Sequence, residues 1–505
     1  MIRNPHTAKS ILLIQSKVGR MDYAGLRLPD ALLSIAALPL QNGYSVRLID
    51  QRVEKDWKAA VREHINATDV LCAGITCMTG PQIRYALEIN RFIKSLRRDL
   101  PVVWGGVHPS LFPEQTLQNE NIDYVIKGEG ERTFFEFVER LRSEEGMAGL
   151  PGLYYKENGA VVKNPPRGYI EDLDQLPNLP YELVDIEKYR ASGLFKGPSL
   201  TFFTSRGCPF PCAFCYNRVF NEGQWRALSP QGAVDRLEYI VKTFGIRKFF
   251  IQDDNFIIHI KRFWELMGEM IRRDLGIEWA CMGVRADTLH QIGEKGLEMM
   301  VRAGCRDIDI GIESGSPRIL KLIKKDIDLG LVTDVNRMMA KFPIKSKCTF
   351  MIGFPGETDE EVRQTVNFAV RMGRENPNVF TLIFVYCPYP GTELFQAAVE
   401  AGFKIPERLE DWADFTPDEW YLNRPNWLTP QQRERYNNIC FASLFSCKSG
   451  MSKISSPLLR SLFALYHPVA KFRLRNNFFR FPLETSLQKN FMSAGRKQLD
   501  DADAV

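Results

Sequence analysis

The chain has 505 residues, 45% hydrophobic, 25% charged and 11% aromatic, with a formal net charge of +5. At roughly 100–200 residues per domain it holds two to four domains. Extended disorder, a collagen-like repeat and a disulfide-dense mini-protein are excluded by composition. No apolar run reaches the roughly 18 residues of a spanning helix. The stretch Ile11–Ile14 is too short for a signal-peptide core and lacks a small-residue cleavage site after it, so a cytoplasmic location is expected. The modest net charge predicts no nucleic-acid partner.

The first 145 residues alternate short apolar runs with helical patterns. Strands are predicted at 10–15, 46–50, 70–77, 102–104 and 124–126, and helices at 29–41, 57–65, 82–96 and 131–144. Alternating βα units with continuously apolar strands predict a parallel sheet covered on both faces, with a ligand outside the carboxyl ends of the strands. Glycines gather at those ends: Gly74, Gly105-Gly106 and Gly128-Glu129-Gly130. They read either as close backbone approach to a ligand or as tight βα turns. Residues 152–163 read as a hairpin turning at Asn158-Gly159, and 172–180 as a turn-rich linker.

A second βα series follows, with strands predicted at 200–204, 248–252, 278–282, 307–312, 347–353 and 381–386. Six such strands predict a full or partial barrel with its site at the carboxyl ends. Beyond about residue 415 the chain reads as mostly helical, aromatic-rich and finally polar.

Eleven cysteines in a cytoplasmic chain predict reduced thiols or metal ligands. Cys72, Cys77, Cys281, Cys305, Cys348, Cys387, Cys440 and Cys447 are scattered, most of them in apolar runs, where Cys behaves as a small core residue. The other three, Cys208, Cys212 and Cys215, form C-x3-C-x2-C directly after the first strand of the second series. Three thiolates on one loop can reach three irons of a [4Fe–4S] cluster. A closed zinc site wants a fourth ligand, and the nearest histidine, His259, is far along the chain. Core thiols and zinc remain the alternative readings.

This segment resembles the cluster motif of the radical S-adenosylmethionine (SAM) superfamily, including an aromatic, Phe214, before the last cysteine. The resemblance runs over roughly residues 198–400. It implies that the open iron binds SAM, and that one electron from the reduced cluster yields methionine and a 5′-deoxyadenosyl radical. It further implies SAM-site positions at the strand ends: Gln252 and Asp253 toward the amino group, Arg285 after the third strand, Glu313 and Ser314 toward ribose or carboxylate, and the backbone at Gly353 toward adenine. Each also has a structural reading: a helix cap at Asp253 and Asp254, an ion pair at Arg285, a turn at Glu313.

The N-terminal part resembles the cobalamin-binding domain that precedes many radical SAM domains. The matching pieces are 74–77, 104–109 and 123–131. Thr76, Gly105, Gly106, Val107, Gly128 and Glu129 are then expected at the corrin edge or nucleotide tail. The family's lower-ligand motif, D-x-H-x-x-G, is absent from the chain. Without that imidazole the cobalt would be held base-off, and the loop Ser16–Arg20 is the place to look for the lower face. His108 reads as a turn or tail contact rather than a cobalt ligand.

The fold class expected is α/β: a Rossmann-like cobalamin-binding sheet (1–148), a hairpin and linker (149–197), a (β/α)6 partial TIM barrel (198–415) and a helical, substrate-specific C-terminal region (416–505). The resemblance implies three cofactors, a [4Fe–4S] cluster, SAM and cobalamin, with a flavodoxin- or ferredoxin-like electron donor and a small-molecule substrate. Within that class the reading preferred is class B methylation of an unactivated carbon or phosphorus centre. The alternatives are a cyclase or oxidoreductase of the anaerobic Mg-protoporphyrin monomethyl ester cyclase type, and a non-catalytic cobalamin or iron–sulfur sensor. From Phe441 to Lys497 there are ten Lys or Arg and one acid, Glu484. This basic run reads as a solvated helical face or as a contact with something acidic. With Trp412, Trp420, Tyr421, Trp427, Phe472, Phe478, Phe479 and Phe481, the region reads as a peripheral membrane contact, a cover over an apolar substrate, or a face docked on the barrel.

Overall fold

The computed structural model describes residues 9–19, 22, 26–189, 195, 197–415, 425–447, 457–479, 481 and 483–484. The chain forms two compact units, residues 1–201 with 226–250 and 405–416, and residues 202–225 with 251–404 and 417–505.

In the first unit seven strands form one sheet: β1 (Ser10–Gln15), β2 (Ser45–Asp50), β3 (Val70–Thr76), β4 (Val102–Gly105), β5 (Tyr124–Ile126), β6 (Leu153–Glu157) and β7 (Ala160–Lys163). Their order is β2-β1-β3-β4-β5-β6-β7. The first five pair in parallel, and β5, β6 and β7 pair antiparallel. Every residue of β1 is buried, as expected for the centre of a sheet covered on both faces. The order 2-1-3-4-5 puts the topological switch point between β1 and β3, where open α/β sheets bind ligands. The hairpin turns at Asn158 (φ 52°) and Gly159 (φ 79°), the two positive-φ positions of a type I′ turn, and so extends the sheet edge. Two five-residue helices, Val107–Leu111 and Pro113–Leu117, fill the β4–β5 connection. Neither was foreseen, because five residues are too few to show a helical period.

The second sheet runs in chain order: Leu200–Phe202, Lys248–Ile251, Glu278–Val284, Cys305–Glu313, Lys345–Ile352 and Val379–Val385. The last three pairings are parallel. Helices Ile260–Arg273, Ala286–Arg302, Leu329–Met339 and Asp359–Glu375 separate successive strands. Asp359–Glu375 opens on a capping box, with Thr358 and Glu361 satisfying each other's backbone. Of the C-terminal region, helices Pro430–Leu444 and Pro457–Arg475 are described, and Ser443 Oγ accepts the Ile383 N–H at 3.1 Å on the last strand.

Candidate active site

The cysteine loop begins where its strand ends, and its backbone is pinned at several points. Gly207 has φ 85°, and a Cβ there would stand 1.8 Å from the Gln224 carbonyl oxygen, so only glycine fits. Its N–H donates to Asp254 Oδ2 at 2.8 Å. In the middle of the loop the Ala213 N–H donates to the Ile323 carbonyl (2.9 Å), and the Ala213 carbonyl accepts the Leu394 N–H (3.0 Å). The loop is thus tied to the end of the helix Pro317–Leu322 after the fourth strand and to the start of the helix Glu393–Glu400 after the sixth.

Cys208, Cys212 and Cys215 lie within electrostatic reach of one another. Burial pushes all three thiols up, Cys215 to about 12. Lys325 and Arg285 oppose this at Cys212. Asn255 Nδ2 points at Cys208 Sγ (4.0 Å). Thiols that stay protonated alone and ionise on binding iron are the donor set of a cluster site, and loading releases their protons. Three such thiols on one pinned loop, with Lys325 and Arg285 beside Cys212, fit a [4Fe–4S] group in the chemistry of their donor set.

The residues expected around SAM divide into two groups. Glu313 (φ 72°) pairs with Lys325 at 3.2 Å, both nearly buried, and a Cβ on Gly311 would strike this pair, so Gly311 leaves it room. Gln252 is half-buried with its amide against Met282 Sδ (3.7 Å), and Phe214 is half-buried on the loop. Of these, the Glu313–Lys325 pair lies within electrostatic reach of Cys212. Four others are engaged in the protein itself. Both carboxylate oxygens of Asp253 are occupied by Thr204 and Ser205, correcting the expectation of a SAM contact there. Arg285 binds Asp287 and the Lys325 carbonyl, and its guanidinium lies 3.8 Å over the Phe210 ring. Arg285 is thus held in an ion pair with Asp287 and stacked on Phe210 of the cysteine loop. The Ser314 hydroxyl bonds Thr365 Oγ1 (3.1 Å) and accepts the Ser316 N–H (3.1 Å). At Gly353 (φ 82°) the N–H donates to Glu357 Oε2 and the carbonyl accepts Trp427 Nε1 at 3.0 Å, so its N–H is not free for adenine.

In the first unit, Gln15, Thr76 and Gly105 lie abreast at the carboxyl ends of β1, β3 and β4. A Cβ on Gly106 (φ 97°) would stand 2.8 Å from Thr76 Oγ1 and from the Cys77 carbonyl, so glycine is required for that close approach. Val107 opens the short helix that follows. Gly128 (φ 84°) donates to Ser110 Oγ (3.0 Å) and has open space where a Cβ would be. Of the loop 16–20, Arg20 lies outside the described residues. Gly19 lies against Pro81, so the loops after β1 and β3 meet at the switch point, and the buried Ser16 hydroxyl there has no hydrogen-bond partner among the described residues. An unsatisfied buried hydroxyl and bare glycine backbone at a switch point fit a large flat ligand with polar edges. Glu129 corrects the expectation: its carboxylate pairs with buried Arg226 (2.7 Å) and accepts the Ile170 N–H (2.8 Å). His108 is fully buried, its Nδ1 3.0 Å from Thr79 Oγ1, packed by Phe112 and Trp412. Burial lowers its pKa to about 3, so it is a neutral core histidine.

Lys325, Asn255, Gly283 and Glu357 were not singled out from sequence, and Trp427 was read only as one of the aromatics of the C-terminal region. A Cβ on Gly283 would stand 2.5 Å from the carbonyls of Asp253 and Asp254, so that turn packs on bare backbone. Lys325 carries no local signal, because only the fold brings it to Glu313. For Glu357 the available clue was its position four residues after Gly353.

Comparison with known proteins agrees with both parts. Residues 202–369 match the model of the Radical SAM superfamily and residues 21–138 that of the B12 binding domain. An uncharacterized methyltransferase of Pyrococcus horikoshii is 32% identical over 77% of this chain and 82% of its own length. The anaerobic magnesium-protoporphyrin IX monomethyl ester cyclase of Rubrivivax gelatinosus is 29% identical over 77% of this chain and 68% of its own. Among solved structures, the radical SAM methyltransferase TsrM from Kitasatospora setae, with cobalamin and a [4Fe–4S] cluster bound, shares the fold. Its TM-score is 0.65 at 20% identity, covering 79% of this chain and 76% of that one. No helix among the described residues is long and apolar enough to cross a membrane. The three-cysteine loop at the head of one sheet and the 2-1-3-4-5 sheet before it thus belong to one lineage: the chain is a member of the radical SAM superfamily, with an N-terminal B12-binding domain.

Proposed function

We propose that the protein is a cobalamin-dependent radical SAM methyltransferase acting on an unactivated carbon or phosphorus centre of a small molecule. The observation that carries this is the presence on one chain of the pinned Cys208–Cys212–Cys215 loop and a β1/β3 switch point where the loops after β1 and β3 meet on bare glycine backbone. Similarity to the Pyrococcus horikoshii methyltransferase supports it. When bound, a cluster supplies the electron that cleaves SAM, and cobalamin carries a methyl group. Cys208, Cys212 and Cys215 would hold three irons. Lys325 and Arg285 place positive charge beside Cys212, and Glu313 fixes Lys325. Gln252 and Phe214 are left as side chains that can meet SAM, while Asp253, Ser314 and Arg285 hold the loops in register. Thr76, Gly105, Gly106, Val107 and Gly128 would line the corrinoid, with the Ser16–Gly19 loop on its lower face.

The reading includes a one-electron donor of the flavodoxin or ferredoxin type, a cytoplasmic location and a peripheral membrane contact through the C-terminal region. The domain limits we propose are 1–148, 149–197, 198–415 and 416–505.

The test is anaerobic reconstitution with reduced cobalamin and SAM carrying a deuterated methyl group. Label on cobalamin, with release of S-adenosylhomocysteine, is the expected result. 5′-Deoxyadenosine without label on cobalamin moves the assignment to the cyclase or oxidoreductase type, which the similarity to the Rubrivivax gelatinosus cyclase favours. Cofactor binding with no SAM cleavage leaves only a sensor.

A further inference from the structure

The helix Pro457–Arg475 and the turn after it carry a contiguous exposed apolar face. Leu465 is 74% exposed, Val469 41% and Phe472 59%. Their spacing of i, i+4 and i+7 puts them on one stripe. The chain then turns back, so that Phe478 lies against both Phe472 (6.4 Å) and Phe481 (6.0 Å). Phe481 is 64% exposed and Leu483 41%. The turn is built rather than loose. Arg473 donates to the Phe481 carbonyl (2.7 Å) and to Glu484 Oε2 (2.8 Å), and Tyr466 donates to the other oxygen of Glu484. Arg473 and Glu484 are both buried. A buried ion pair therefore holds large apolar side chains out in water, an arrangement that marks an interaction site.

Charge identifies the partner. Glu484 is the single acid between Phe441 and Lys497, and it is 0% exposed and neutralised by Arg473. No carboxylate of this segment faces outward among the described residues. Lys471 and Arg475 flank the stripe, and the segment holds ten Lys or Arg in all. An apolar stripe with a basic flank is the pattern of a helix lying in a membrane interface.

We infer that this face, Leu465, Val469, Phe472, Phe481 and Leu483 with Lys471 and Arg475 beside them, docks on an anionic lipid surface. This deepens the peripheral-membrane part of the proposed function and is independent of the methyl-transfer chemistry. The aromatic and aliphatic side chains enter the acyl boundary, and the basic flank meets lipid phosphates. Arg473 and Glu484 hold the two halves of the face together.

The full-length holoenzyme is sedimented with vesicles of phosphatidylcholine alone and of phosphatidylcholine with phosphatidylglycerol, at low and high salt. The expected result is pelleting with the anionic vesicles, weakened by salt, and reduced roughly tenfold in F472D/F481D and in K471E/R475E. The second variant leaves the aromatic turn intact, and iron content and circular dichroism establish that both are folded. Pelleting with neither vesicle overturns the inference and the membrane contact together. Pelleting that both variants retain keeps a membrane contact but overturns this face as its site. A concentration-dependent dimer by light scattering, lost in F472D/F481D, overturns it in favour of a second copy of the chain.

Discussion

Thr204 and Asp253 are locked by a double hydrogen bond: the Thr204 N–H donates to Asp253 Oδ1 (2.6 Å) and the Thr204 hydroxyl to Oδ2 (2.5 Å). The Ser205 hydroxyl adds a third bond at 2.7 Å. The carboxylate is 1% exposed, and its burial raises its pKa against the pull of these donors. The latch fixes the residues from which the cysteine loop departs. Asp253→Ala leaves three buried donors unsatisfied, at about 1–3 kcal/mol each. It should lower the melting temperature and reduce iron per chain to a minor fraction after reconstitution. Asp253→Asn keeps an acceptor for Thr204 and should retain most of its iron. Equal loss in the two variants would mean that the charge itself is needed.

Gly207→Ala tests the same entry to the loop three residues further on. The new Cβ would fall 1.8 Å from the Gln224 carbonyl at a φ of 85°, so backbone must move next to Cys208. Iron loading should fail while far-ultraviolet circular dichroism stays near that of the parent. Normal iron content would show that the loop tolerates this shift.

The Glu129–Arg226 pair separates a structural role from a cofactor contact in the first unit. Its side chains are 8% and 4% exposed. Removing one partner of such a buried pair costs about 3–5 kcal/mol. Glu129→Ala should therefore lower the melting temperature while leaving cobalamin affinity within about twofold at temperatures where the protein is folded. A tenfold weaker affinity with unchanged melting would return Glu129 to the corrinoid.

Trp427 reaches Gly353 from the C-terminal region and caps its carbonyl at 3.0 Å, while Tyr436 packs 3.3 Å from where a Gly353 Cβ would be. Loss of one neutral hydrogen bond is worth about 1 kcal/mol. If the backbone at Gly353 shapes the adenine end of the SAM site, Trp427→Phe should raise the KM for SAM about fivefold in SAM cleavage, with kcat little changed. A fall in melting temperature with unaltered KM would assign Trp427 to packing alone.

The strands were legible because their apolar runs are continuous and their boundaries carry turn residues: 10–15 and 124–126 are reproduced residue for residue, as is the helix 82–96. The cysteine loop was legible because its ligands are local, three thiols in eight residues. What sequence could not give was which polar group faces inward. Asp253 and Asp254 are adjacent and chemically alike, yet one is buried against Thr204 and Ser205 and the other is exposed with its carboxylate on the Gly207 N–H. Glu129 sits in a glycine-rich ligand-like turn, and its partner Arg226 is 97 residues away. Pairings of that range are decided by tertiary packing, on which local pattern is silent. Trp420, Tyr421 and Arg480 lie outside the described residues.

Glu357 gives the chain a pH dependence with a definite sign. Its Oε2 accepts the Gly353 and Phe354 N–H groups, while Oε1 is buried with no partner among the described residues. Burial, with Glu361 nearby, raises its pKa from 4.5 to about 8. The folded carboxyl is then protonated at pH values where the unfolded one is ionised, so folding takes up a proton. The unfolded state binds fewer protons across this window, and stability falls as pH rises. The contribution is whole below pH 4.5, declines between 4.5 and about 8 by at most about 1.4 kcal/mol per unit, and is flat above. Glu357→Gln keeps an acceptor for both N–H groups and cannot ionise. Its melting temperature should match the parent's near pH 4.5, exceed it by several degrees near pH 8, and depend less on pH in between. A parent profile that rises with pH across this range, or a variant that keeps the parent's slope, would place the ionised carboxylate in the folded protein. The burial of Oε1 would then have to be relieved by a donor supplied from outside the chain, such as water or bound SAM.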